Sequence, residues 1–478
     1  MTRDRMVGAG GVRPIHARWV ICGDLVLESA CHLGNGNQGD RVDLPLLRDR
    51  VDGYPLLLGT SLAGALRSYI SDRLSGYSSS EDVRVNGLFG GQRGDEEGSQ
   101  SPLIVFDSLS DQAIIEVRDG VALDASRGTA ANHLKFDREV LPAGTRFPIR
   151  VELVVADPAH EAEQLKLLAL ALSGFQQGDI PLGAQRSRGF GACRVSSWRV
   201  KQFDLSNQDG WLEWLGSNHG EPLAGVTPRN DIVSALRIPA SEEVGILPDQ
   251  RDHVRIELGL LFQGGLLVRS PGLLAGSADA SHLHSGGRTV LPGTSLAGAL
   301  RARATKIARL VRAEKYDADR WIERLFGPRK PDNRGRSFQP RASRLRTSEQ
   351  PLRGAQSLRV ARIRVDRFTS GIVDSGLFDE EPAYCGETNV TLALRNPQPG
   401  ELGLLLLVLK DLLTGDISLG GSGSVGRGVV IGRADLHLPD QEHPIVFDPL
   451  ATADTATIEL MNNHVRQFHE ADVISEGT

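Results

Sequence analysis

The chain has 478 residues, 40% of them hydrophobic, with 54 Lys and Arg against 60 Asp and Glu for a formal net charge of -6. That length holds two or three domains, and that composition excludes wholesale disorder. The acidic balance excludes a protein that coats nucleic acid by bulk positive charge, while a basic groove on an acidic body stays open.

In chain order, ARWVICGDLVLES opens as a strand. A polar, glycine-rich loop leads to GTSLAGALR, Gly59 to Arg67, where Thr60 or Ser61 can cap a helix carrying Leu62, Leu66, Tyr69 or Ile70, and Leu74 on one face. SPLIVFDSLS reads as the next strand, followed by a long irregular region. The strand RFPIRVELVV and the apolar helix AEQLKLLALALSGF come next, then a glycine-rich loop, GDIPLGAQRSRGFGACRV, and a closing strand. Residues 206–250, rich in Asn, Gly, Pro and charge, read as a linker.

The series then starts again with HVRIELGLLFQGGLLV. The nonapeptide returns unchanged from Gly293 to Arg301, and GDISLGGSGSVGRGVVIG, from Gly415, restates the glycine-rich loop. Between these anchors GLFGGQ and RLFGPR also keep their order. Chance does not return nine residues in register with two further anchors, and a period this long means duplicated domains, not a solenoid. Each unit follows the split β-α-β plan of an α+β, ferredoxin-like (RRM-like) fold with insertions. The expected domains are 14–205 and 251–445, with 446–478 a peripheral C-terminal extension.

Other signals are negative. Cys22, Cys31, Cys193 and Cys385 form no CxxC pair, and 12 scattered histidines show no zinc-finger spacing. No apolar signal segment opens the chain, and the longest apolar run, ELGLLLLVLKDLL, is too short for a bilayer, so a cytoplasmic protein without a membrane partner is expected. GSGSVG, from Gly421, matches GxGxxG, but a strand pattern follows where a dinucleotide fold needs a helix. There is no Walker A loop. What remains at the glycine-rich loops is backbone N–H groups beside Arg186 and Arg188 in the first copy and Arg427 in the second, a combination suited to phosphate or to a tight helix-to-strand turn. Likewise the nonapeptide helix start can meet phosphate through its amides, with Gly59, Thr60 and Ser61, or Gly293, Thr294 and Ser295, at the contact and Arg67 or Arg301 two turns in.

The ordered set of [LP]-G-T-S-L-A-G-A-L-R, L-F-G and a late R-G-x-G loop resembles the RAMP proteins of CRISPR systems. It is most similar to backbone subunits of type III effector complexes, fused as a tandem pair as in type III-D-like systems. The resemblance implies two RAMP domains, each with a thumb-like β-hairpin insertion, bound to guide RNA, complementary target RNA and other effector subunits. LDASRGTAANHLKFDREVLPAGTRF and IRVDRFTSGIVDSGLFDEEPAY resemble the thumbs, which puts Arg127, Lys135, Arg362, Arg364 and Arg367 against the duplex backbone, with His133 a lesser candidate for a general acid or a stacking group.

The resemblance also implies an endoribonuclease whose cutting residue is an Asp in the loop before the nonapeptide helix. VDLPLLRD matches that segment and points to Asp43, alone or holding Mg²⁺ or Mn²⁺. In the second copy the loop is shorter and lacks the proline; Asp279 is the nearest equivalent, with His282 and His284 as alternatives. A catalytically silent guide-binding subunit is the other expectation.

Overall fold

The computed structural model describes residues 14–471 apart from 38, 40, 79, 92–98, 124–128, 219–222, 224, 239–246, 248, 271–276, 312–314, 329–339 and 440. Ala17–Leu27 alternates buried and partly exposed residues and forms the middle of the first sheet. Arg146–Val155 and Cys193–Asp204 flank it, and Leu103–Val105 lies outside Arg146–Val155. Every pairing is antiparallel. The first strand therefore sits between the third and the fourth, which is the split β-α-β plan.

Two helices cover one face of this sheet. Gly59–Ser75 buries Leu62, Leu66, Tyr69, Ile70 and Leu74. Pro158–Gln177 starts where the Asp157 carboxylate accepts from the Ala159 N–H at 2.9 Å and buries a stripe from Leu165 to Phe175. Both stripes join the core built on Ile21, Leu25, Phe147 and Val151.

The second unit repeats the order. Val430–His437, His253–Phe262, Glu387–Arg395 and Leu345–Ser348 lie side by side, covered by Gly293–Val311 and Glu401–Leu413. Two additions extend this sheet. Ile445–Phe447 joins one edge. At the other edge Arg188–Gly189, from the first domain's glycine-rich loop, pairs in parallel with Thr347 and Ser348. The domains are thus joined through a shared sheet.

Each domain inserts a hairpin where a thumb is expected. Glu116–Leu123 pairs with Ala130–Val140, and Val360–Val365 pairs with Ile372–Glu381. Two connecting regions are more ordered than composition suggests. In 206–250, Trp214 of the Gln208–Gly216 helix packs edge-on to Phe203 at 5.0 Å, which ties part of the linker to the first domain. Beyond 446, Thr455–Glu470 is a helix that closes the second core, with Phe468 fully buried against Trp321. The described part of the tail is therefore not peripheral; Phe468 anchors it, with Met461 and Ala471 packed against the same core, too few residues to show as a periodic pattern.

Candidate RNA interface and paired aspartate sites

In the first domain the loop before the nonapeptide helix crosses the base of the hairpin. Leu44 bridges Arg138 in parallel, and the Leu46 N–H and Arg48 guanidinium both donate to the Glu139 carboxylate, at 2.9 and 2.7 Å. This anchorage sets Asp43 against Asp137. Each aspartate's N–H donates to the other's carboxylate, at 2.8 and 3.0 Å. One oxygen of each carboxylate is left without a partner among the described residues. Asp43 is exposed. Asp119 faces Asp137 across the hairpin and pairs with Lys135 at 3.0 Å.

The second domain builds the same corner from a different sequence. The Asp379 N–H donates to the Asp279 carboxylate at 2.9 Å, and Ala280 then pairs in parallel with Glu380, as Leu44 does with Arg138. Asp279 is therefore the spatial counterpart of Asp43, and it too is exposed. One difference matters for chemistry: Arg359 binds the Asp379 carboxylate at 2.7 Å, whereas no cation pairs with Asp137 among the described residues.

His282 does not share that exposure. It is 2% exposed, and its ring joins three segments, with Nε2–H donating to the Val290 carbonyl at 2.9 Å and Nδ1 accepting from the Val268 N–H at 3.2 Å. Burial pushes its pKa down to about 4, so the ring is neutral and structural. His284 is exposed and leans on the His282 carbonyl.

Among the described residues no group of three His, Cys, Asp or Glu is placed to hold a metal ion. Mg²⁺ ordinarily keeps several waters and takes one or two carboxylates plus substrate phosphate. Asp43 and Asp137 offer two hard oxygens and so fit a largely hydrated ion of that kind.

The remaining expected contacts divide into exposed and engaged groups. Gly59 opens its helix after Leu58, and its N–H already donates to the Asp107 carboxylate at 2.6 Å. Thr60 and Ser61 are exposed inside the first turn and do not cap it, because the helix already starts at Gly59 and Asp107, between two strands, serves that end. Gly293 lies beneath the Arg188 carbonyl, where a Cβ would collide, and Thr294 and Ser295 are half-buried beside it. Arg67 is held by Glu81, at 2.6 and 2.9 Å, and by Asn86. Arg301 reaches the Phe326 carbonyl at 3.3 Å. Both arginines thus brace the short helix that ends in L-F-G.

Arg186 and Arg188 are exposed, with the Arg188 backbone in the interdomain sheet. Arg427 turns inward, 7% exposed, and donates to Glu380 at 2.7 Å. Its place matches Phe190 and not an arginine. Gly191 and Gly428, the residues that follow, donate to the Ala30 and Gly265 carbonyls at 2.8 Å and accept from the Leu182 and Leu419 N–H groups at 2.9 Å. On the second hairpin Arg362 pairs with Glu380 at 2.9 Å, while Arg364 and Arg367 are exposed and Arg367 stacks on Phe368. Arg127 and the side chain of His133 lie outside the described residues.

The structure adds residues that carry no local signal. Glu349 follows the second domain's edge strand and binds Arg118 of the first hairpin at 2.6 and 3.1 Å, both side chains nearly fully buried. It also accepts from the Ala30 N–H. Arg118 and Arg138 both lie over the Phe190 ring. Glu116 accepts from the Gly286 N–H at 2.8 Å, so the second domain's loop docks on the first hairpin.

Among the described residues no helix is long and apolar enough to cross a membrane. No curated protein matches the chain. The family model described as the RAMP superfamily matches residues 14–194 and again 266–431, the two repeated units. The chain therefore belongs to the RAMP superfamily and carries two RAMP domains in tandem, each an α+β ferredoxin-like fold.

Proposed function

We propose that this protein is a guide-RNA-binding backbone subunit of a type III CRISPR effector complex that cuts complementary target RNA at Asp43 and, more slowly, at Asp279. RAMP proteins bind RNA and act in CRISPR complexes, and that membership supports the RNA-binding part. One observation carries the catalytic part: two dissimilar loops bring an exposed aspartate to the same corner, hydrogen-bonded to the second strand of a hairpin.

At that corner a target strand splayed by the hairpin leaves its 2′-hydroxyl in line with the next phosphate. The Asp43 carboxylate accepts the 2′-hydroxyl proton, the 2′-oxygen attacks phosphorus, and the 5′-oxygen leaves and takes a proton from water. The products are a 2′,3′-cyclic phosphate and a 5′-hydroxyl. Asp137 holds Asp43 in place through the reciprocal bonds. Mg²⁺ or Mn²⁺, when held by Asp43 and Asp137, supplies positive charge to the phosphate. At the second corner Arg359 already neutralises Asp379, which favours a weaker site there.

The test is target-RNA cleavage by the assembled complex carrying Asp43→Ala or Asp279→Ala. Loss of one product band per substitution is expected. Unchanged bands with guide RNA retained would leave the silent scaffold as the function.

A further inference from the structure

A crevice of about 40 Å³ lies where the helical side of the first domain meets the open face of the second domain's sheet. Four guanidiniums line it, from Arg186, Arg251, Arg346 and Arg395, with two carboxylates, Asp72 and Asp179. Arg251 is fully engaged: it binds Asp249 at 2.6 and 2.8 Å, reaches Asp179 at 3.3 Å and lies over the Tyr69 ring. That leaves three guanidiniums facing Asp72.

Their pairing is poor. Arg395 stands 3.8 Å from Asp72, and its Nε is buried with no hydrogen-bond partner. Arg346 has no side-chain hydrogen bond and no ion pair among the described residues. Burial, and then the neighbouring Arg395, push its pKa down to about 10, so it still carries its charge at neutral pH. Arg186 is exposed at the rim and likewise unpaired among the described residues. Arg395 also lies over the Tyr77 ring at 5.3 Å, and Asp72 is one carboxylate against three guanidiniums. Excess buried positive charge is costly, and a fork of guanidinium donors matches the oxygens of a phosphate. The space exceeds what one water needs.

We propose that this crevice binds one phosphate-class oxyanion, held by Arg346 and Arg395 of the second domain and Arg186 of the first. The anion touches both domains, so it stabilises their docked arrangement by mass action. The same chemistry comes from free phosphate or from a phosphate of an RNA strand.

The test uses the full chain, with thermal unfolding and titration calorimetry in inorganic phosphate against chloride at matched ionic strength. A parallel arm uses a single-stranded RNA oligonucleotide in phosphate-free buffer. Phosphate is expected to raise the unfolding temperature, and Arg346→Met to weaken its binding at least about tenfold. Arg186→Ala, at an exposed position where folding is not at stake, is expected to weaken it in the same direction. A shift with RNA alone that is lost in both variants identifies the polymer as the source. If neither phosphate nor RNA produces a shift that depends on Arg346 or Arg186, the proposal is wrong. Target cleavage does not enter this readout, so its failure and that of the catalytic reading are separable.

Discussion

The first domain seats its hairpin on an aromatic ring and the second on an ion pair. Arg138 lies over Phe190; at the matching places Glu380 binds Arg427. The backbone around both is the same, down to the glycine that follows and the carbonyl it meets. One geometry is thus held by two unrelated chemistries. The ring takes apolar contact from Ala30 and Val140 and lies under the Arg118 and Arg138 guanidiniums. The ion pair needs complete satisfaction: burial pushes the Glu380 carboxyl up, but Arg362 and Arg427 outweigh it and hold it below its usual range. The domains also differ in what lies downstream. The first hairpin is locked to a following domain through Arg118 and Glu349.

The largest expected effect breaks the comparison at its catalytic end. Asp43→Ala should lower cutting at its own position by about 10²–10⁴-fold, the range for a general base, leaving the other position intact. Arg359→Ala should raise the rate at the Asp279 position toward that at Asp43, measured by product bands against time. Equal wild-type rates at the two positions would remove the role given to Arg359.

Next comes the lock between domains. Glu349→Ala leaves Arg118 buried and unpaired, at a cost of about 3–5 kcal/mol in chemical unfolding. Glu380→Ala should cost a similar amount, because it leaves Arg427 buried and unpaired, although Arg362 is partly exposed and can turn to water. The double change Glu349→Met with Arg118→Met should recover most of the loss. A cost below about 1 kcal/mol for Glu349→Ala would show that the buried pair is not special.

The third effect is set by pH and rests on a buried histidine of the second domain. His282 is neutral in the fold, with its pKa lowered from 6.5 to about 4. Between those values the unfolded chain binds the extra proton. Stability is therefore fully present above about pH 6.5 and falls as pH drops toward 4, by on the order of 3 kcal/mol. His282→Gln should flatten that slope in melts recorded across this window. A slope unchanged by the substitution would place the acid sensitivity elsewhere.

The smallest effect concerns exposed charge. Arg364→Ala and Arg367→Ala should leave stability within about 0.5 kcal/mol. Each should lower the salt dependence of RNA retention by about one counter-ion. Retention that ignores salt in the unmodified protein would exclude phosphate contacts by either hairpin.

Much of the fold is legible in the residues. The repeated nonapeptide, the alternation in Ala17–Leu27 and His253–Phe262, and the apolar stripes of the helices are local patterns, and local patterns determine where strands and helices form and that the unit occurs twice. The VDLPLLRD segment points to Asp43 through its likeness to the family pattern, and Asp279 is the nearest equivalent before the second nonapeptide, with His282 and His284 left open by the sequence. Only the tertiary structure decides what those residues meet. Asp43 finds Asp137 94 positions away, and Arg118 finds Glu349 231 positions away. Arg427 resembles a phosphate ligand in sequence until sheet order delivers Glu380 to it. The physical reason is that backbone periodicity acts over a few residues, whereas the partner of a charge is chosen by strand register and by how two domains share an edge, neither of which leaves a spacing in the chain.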